Sequence, residues 1–296
     1  MSTVIDKRVS MSDVLGQIKD GSVVGIGGWG ATRKPMAVVR AIARSPIRDL
    51  TVVSCAGQDL DLLIGAKKVK KAIFPFAVYD EIPGMAQYNF RRARQEGTVE
   101  CMEVSEYMVL SGLRAAGERL PFYPVRSGLG SDVLTINPSI KVFEAPYTGE
   151  KLVAMPALYL DVAIVHVNAA DPSGYGQVLG PLAMDGPMVR AAKKVFLCAD
   201  RIVSIDELAQ QPHLVKIWRP FVTGVVEVPY SAHPSRSPPD YGVDLVHMRE
   251  YTEAAADAQR FPAYLEKYIN SVDSQVAYLE KVGGVARLIQ LGREGN

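Results

Sequence analysis

The sequence predicts an α/β protein: an open, mostly parallel sheet with a helical region at the C-terminal end. Three observations predict it. Short apolar runs rich in β-branched residues alternate with helix-patterned stretches. Runs such as VVGIG, LTVVS and DVAIVHV are apolar on both faces, which suits strands covered on both sides. The 296 residues, 48% hydrophobic and 22% charged, are enough for one large domain or two modest ones and have ordinary globular balance.

The elements follow in order. Residues 23–27, 50–54, 69–74, 99–104, 161–168 and 195–199 read as strands. Residues 36–43, 85–95, 106–119 and 187–193 read as helices. Residues 121–160 carry Pro121, Pro124, Pro138, Pro146 and Pro156 and read as a long, loose excursion over one end of the sheet. Residues 231–242 (SAHPSRSPPDYG) are rich in proline and read as an extended connector. From 245 to 291 the apolar spacing of Phe261, Leu265, Tyr268, Ile269, Val276, Leu279, Val285 and Leu288 is helical. The expected division is an α/β domain over residues 1–230, then a connector and helical tail over 231–296 packed on the domain or on a partner.

Charge excludes several function classes. With 33 Lys+Arg against 32 Asp+Glu, neither a nucleic-acid binder nor a membrane-surface binder driven by charge is expected. No run approaches a bilayer span, and the charged N-terminal stretch has no apolar signal-peptide region. Cys55, Cys101 and Cys198 are far apart and odd in number, as expected of thiols in a reducing compartment. A cytoplasmic protein without a metal is the expectation. His213, His233 and His247 lack metal-ligand spacing, and His166 reads as a core or rim residue of its strand.

Two glycine clusters are candidate ligand loops. Gly25-Ile-Gly27-Gly28-Trp29-Gly30 follows a strand and satisfies the dinucleotide pattern, but the next strand ends without the carboxylate that would hold a ribose. Thr32-Arg33-Lys34-Pro35 lengthens this loop, so its backbone N–H groups and two cations read as facing the sheet edge, ready for an anion or oxyanion. A bulky residue at Gly28 is then expected to block the ligand while leaving the sheet folded. The second cluster is Arg126-Ser127-Gly128-Leu-Gly130, where Arg126 reads either as a fork for an anion or as a bridge to a surface acid. Between them Ser105 reads as an N-cap and Glu106 as a first-turn acid. Glu106 is either a helix-start carboxylate or, at the C-terminal end of a strand, a site residue.

Taken together, GIGGWGATRKP (25–35), EVSEYMVLSGLRAAGERLPFYPVRSGLGSD (103–132) and DVAIVHVNAADPSGYG (161–176) resemble the α subunit of family I CoA-transferases. The resemblance covers about residues 5–230, and its most specific piece is residues 120–132. It implies the CoA-transferase / sugar-phosphate isomerase-like fold, an acyl-CoA substrate, no cofactor beyond the coenzyme A of that substrate, and a β subunit, with an α2β2 heterotetramer as the expected assembly. The family's glutamate nucleophile belongs to the β half, and this chain has no such Glu-Asn-Gly-like motif.

Transferase α subunits tend to read Glu-Tyr-Ser-Asn where this chain reads Glu103-Val104-Ser105-Glu106. That departure resembles the branch of steroid ring-cleaving CoA hydrolases, in which a glutamate at this place is the base. The resemblance therefore implies Glu106 as catalytic, with Gly27, Gly28, Trp29, Gly30, Arg126, Ser127, Gly128 and Gly130 as substrate or oxyanion contacts. Tyr175 stands where transferases usually place asparagine, so the substrate loop is expected to differ. The alternative is a true transferase of the 3-oxoacid or glutaconate type. A ligand sensor on the same fold would need a DNA-binding module, and none is recognisable.

Overall fold

β-branched runs become the parallel strands, and the segments between them become helices that cover both faces. The computed structural model describes residues 5–55, 57–78 and 85–294. A short helix α1 (Met11–Gly16) leads into β1 (Val23–Ile26), α2 (Met36–Arg44), β2 (Leu50–Ser54), α3 (Gln58–Gly65), β3 (Val69–Phe74), α4 (Tyr88–Glu96), β4 (Glu100–Glu103) and α5 (Glu106–Gly117). Next come β5 (Phe122–Val125), α6 (Val133–Ile136), β6 (Lys141–Glu144) and β7 (Lys151–Pro156). The chain then re-enters the main sheet through β8 (Leu160–Ala170), β9 (Gly176–Gln177), α7 (Asp185–Ala191), β10 (Ala192–Ile202), α8 (Ile205–Ala209), β11 (Val215–Ile217) and β12 (Gly224–Glu227). The tail holds α9 (Leu245–Ala256), α10 (Phe261–Leu265), α11 (Gln275–Lys281) and α12 (Gly284–Glu294).

The parallel strands run in the order β12-β10-β8-β1-β2-β3-β4. β8 pairs β1 through Val162–Ile164, and beyond the end of β1 it pairs the short antiparallel β9 at Ala169 and Ala170. Side chains alternate between two cores. Val24, Ile26, Val52, Ile164 and Phe196 face α2, α3, α4 and the tail, while Val53, Ala163, Val165 and Leu197 face α5, α7 and the small sheet. This is the fold class expected from the doubly apolar strands.

Three stretches differ from expectation. Residues 121–160 are not a loose excursion: β5, β7 and β6 form an antiparallel three-stranded sheet. Its prolines hid it, because Pro124 sits in the edge strand β5, where a missing N–H costs no ladder bond. The helix expected over 187–193 gives way to strand at Ala192, which pairs with Leu160 at the start of a long β8–β10 ladder. Residues 231–242 are not a solvated connector. Ser231, Ala232, His233, Ser235 and Ser237 are buried, and the stretch bonds the first glycine loop through Arg236 N to Ala31 O (2.9 Å) and Arg33 N to Arg236 O (2.8 Å). The tail packs inward too, with Tyr251, Tyr264, Tyr268 and Tyr278 in the core beside α2.

Candidate active site

The first glycine loop closes on itself. Gly27 N donates to Ile164 O (2.9 Å), Trp29 N to Thr32 O (2.9 Å) and Gly30 N to Cys55 O (3.2 Å). Gly28 N donates to the buried carboxylate of Asp185 (2.8 Å). All four N–H groups are therefore committed, and the expected oxyanion donors of Gly27–Gly30 are not available. Nor do the two cations wait for a ligand. Arg33 is wholly buried, paired to Asp185 at 2.6 Å and bonded to the carbonyls of Pro181 and His166. Lys34, also buried, donates to Ser54 Oγ (2.8 Å) and Asp59 Oδ2 (3.3 Å). Buried charges need such partners to offset lost hydration, so these residues brace the loop. Asp185, Asp59 and Ser54 carry no signal in the sequence, since no spacing links them to the glycines.

What the loop presents to the mouth of the sheet is Trp29. Its indole Nε1 lies 3.4 Å from Glu106 Oε2, and its ring meets Phe76 edge-on at 5.5 Å. Glu106 opens α5, where Ser105 caps the helix by accepting from Met108 N (3.2 Å). Glu106 is exposed. Among the described residues it has no cationic partner, whereas the neighbouring Glu103, Asp59 and Asp185 are paired with Arg94, Lys34 and Arg33. Cys55, just past the end of β2, is held as a neutral thiol. Burial pushes its pKa up to about 12, with Lys34 opposing and Glu106, Asp59 and Asp185 adding to the rise.

The second glycine loop does reach Glu106's helix. Ser127 Oγ and Ser105 Oγ are 2.5 Å apart. Gly128 turns at φ +94°, and a Cβ there would press to 3.2 Å from Met108 Sδ of α5. The N–H groups of Ser127, Gly128 and Gly130 make no hydrogen bond among the described residues. Arg126 is different. Its guanidinium is three-quarters exposed and forks onto Glu150 (2.6 and 2.8 Å). The fork is occupied, so the surface-bridge reading of Arg126 is the one this chain realises.

With this geometry in place, comparison with known proteins decides the family. The family described as Coenzyme A transferase matches residues 8–227. The chain belongs to the coenzyme A transferase family. It is 40% identical over 286 residues to the cholesterol ring-cleaving hydrolase IpdA subunit of Rhodococcus jostii, covering 93% of this chain and 96% of that one. It is 29% identical to a subunit of the glutaconate CoA-transferase of Acidaminococcus fermentans, covering 97% of this chain and 95% of that one. The crystal structure of that glutaconate enzyme superposes with a TM-score of 0.89 over 96% of this chain and 95% of that one. The crystal structure of a variant of the decarboxylase AibA/AibB is 25% identical, with a TM-score of 0.78 over 88% of this chain and 99% of that one.

Other residues weighed from sequence have structural places in this coenzyme A transferase fold. His166 is buried with Nε2 3.0 Å from Asp200. Asp171 Oδ1 gathers the N–H groups of Ser173, Gly174 and Tyr175 into a turn. Tyr175 lies under the Arg219 guanidinium at 5.4 Å and lines an apolar cleft with Trp218. Among the described residues no group of three His, Cys, Asp or Glu side chains could hold a metal, and no helix is long and apolar enough to cross a membrane.

Proposed function

We propose that this chain is the α-type subunit of a heteromeric acyl-CoA hydrolase that opens a cyclic β-keto acyl-CoA in bacterial steroid breakdown, working in the cytoplasm. One observation carries the reading. Among the described residues Glu106 is a carboxylate without a cation at the mouth of the sheet, while Glu103, Asp59 and Asp185 around it are paired. A free carboxylate beside an aromatic wall can take a proton, and a neutralised one is a poor acceptor. The identity to a ring-cleaving hydrolase subunit supports the substrate class.

In the proposed reaction Glu106 removes a proton from water as its oxygen adds to the ring ketone. The adduct collapses, breaking the bond between the former ketone carbon and the carbon α to the thioester. The electron pair leaves as the thioester enolate, whose α carbon takes the proton held by Glu106, and the former ketone carbon becomes a carboxylic acid that ionises to the carboxylate. The N–H groups of Ser127, Gly128 and Gly130 are the proposed donors to developing negative charge. No cofactor enters beyond the coenzyme A of the substrate.

A β subunit, in an α2β2 assembly, is proposed to cover Glu106. Tyr107 beside it and Leu129 inside the second loop are 49% and 38% exposed, as partner-facing apolar residues would be. The test is turnover of a cyclic β-keto acyl-CoA by the α–β complex in ¹⁸O-water. One label in the new carboxylate with the thioester intact is expected. A glutamyl-CoA thioester trapped on the partner subunit, with no label incorporated, would instead assign CoA transfer.

A further inference from the structure

A second cavity, of about 520 Å³, lies between α2, the end of β12 and the tail helix α11. None of the residues placed around Glu106 lines it. Arg40 and Arg44, one turn apart on α2, both reach it. Arg40 is only 5% exposed, yet its partners are neutral. It donates to the His233 carbonyl (2.8 Å) and to Gln275 Oε1 (2.8 Å), and its guanidinium lies 3.5 Å over the Tyr278 ring. Arg44 donates to the carbonyls of Ile269 and Val272. Among the described residues neither arginine has a carboxylate in ion-pair contact, unlike Arg33 and Lys34.

A cation this buried lacks the counter-charge that usually offsets its desolvation. Burial accordingly lowers the pKa of Arg40. Val226 and Val228 supply apolar wall, while Glu227 and Asp273 stand at the same cavity and would repel a doubly charged group. The volume is that of a small-molecule pocket. We propose that this cavity binds an amphipathic monocarboxylate, its carboxylate held by Arg44 and drawn by the uncompensated charge of Arg40 behind it, and its hydrocarbon body lying on Val226 and Val228. Guanidinium forks match carboxylate geometry, and a single negative charge satisfies the arginines with less repulsion from Glu227 and Asp273 than a double one. The site stands apart from the reaction proposed at Glu106.

The test is calorimetric titration and thermal unfolding of the purified protein, with its partner subunit where the two co-purify. The probes are decanoate, decyl phosphate and 1-decanol. Decanoate is expected to bind once per chain and raise Tm, with the phosphate and the alcohol weaker. Arg44 is exposed, so Arg44→Gln should fold and weaken decanoate by about tenfold, as the loss of a charge-assisted hydrogen bond would. Val276→Trp, at an exposed position of the cavity lining, should abolish binding, and Glu106→Gln should leave it unchanged. Absent decanoate binding, equal binding of 1-decanol, or binding that survives both Arg44→Gln and Val276→Trp would overturn the proposal. Loss of binding in Glu106→Gln would overturn it also, by moving the ligand to the first site.

Discussion

The indole N–H of Trp29 points at the carboxylate of Glu106, with Nε1 3.4 Å from Oε2. The two residues lie on different elements, one on the loop after β1 and the other at the first turn of α5. Phe76, just past β3, holds the indole edge-on. Segments following three strands thus orient one carboxylate, and the polar contact is long enough to be a weak one.

Trp29→Phe keeps an aromatic ring against Phe76 and removes the donor. Turnover by the α–β complex should fall about two- to threefold, the low end of what one hydrogen bond contributes, as suits a contact this long. KM for acyl-CoA should hold, since the ring still fills its place. Steady-state kinetics on the folded variant check this. A large rise in KM with kcat unchanged would make Trp29 a substrate wall and not a positioning residue for Glu106.

Glu106→Gln preserves size and removes the proton acceptor. If Glu106 is the base, kcat should fall by about 10²- to 10⁴-fold. The complex should still assemble and bind acyl-CoA, as gel filtration and calorimetry would read. A rate close to that of the unaltered enzyme would leave Glu106 as a first-turn acid favoured by the helix dipole, worth about 1 kcal/mol at most.

The sheet was legible because strands covered on both sides are apolar throughout, as in residues 161–168, and Glu106 was legible because strand end and N-cap coincide at Ser105. Pattern alone left Glu106 open between a helix-start acid and a site residue, and the family resemblance is what made it the candidate base. The fate of the glycine loop was not legible. Whether Gly28 N faces a ligand or Asp185 depends on a partner 157 positions away. The same holds for Arg33 and Lys34, whose counter-charges arrive from α7 and α3. Arg126 shows the converse, since its partner Glu150 lies beside a small sheet masked by prolines.

At Gly28 the expectation of a selectively blocked pocket is replaced by a prediction about stability. Its φ is +78°, and a Cβ would sit 2.5 Å from Arg33 O and 2.6 Å from Thr32 O, both backbone atoms. Gly28→Ala should therefore destabilise the fold, not merely exclude substrate. Asp185→Asn should do so by another route, because it leaves the Arg33 charge buried without a counter-ion. That cost is about 3–5 kcal/mol. Urea unfolding of both variants checks the pair, and a normal midpoint for Asp185→Asn would mean that Arg33 finds another anion.

Asp61 supplies a pH signature. It is fully buried in α3 and accepts from Tyr251 OH (2.6 Å), Phe90 N (2.8 Å) and Asn89 Nδ2 (3.1 Å), tying α3 to α4 and α9. Burial raises its pKa from 3.8 to about 6, against the opposing pull of those hydrogen bonds. Between these values the folded chain holds a proton that the unfolded chain releases. The stabilisation is thus complete below about pH 4 and is lost as pH rises through about 6, for a total of about 3 kcal/mol. Asp61→Asn cannot titrate, so the difference in unfolding free energy between the two proteins isolates this group from every other. Urea unfolding from about pH 4 to 7.5 should show the unaltered chain losing ground to the variant through that window, then running parallel above about pH 7. A difference that instead grows in favour of aspartate as pH rises would mean that the three donors outweigh burial and that Asp61 stays ionised in the folded chain.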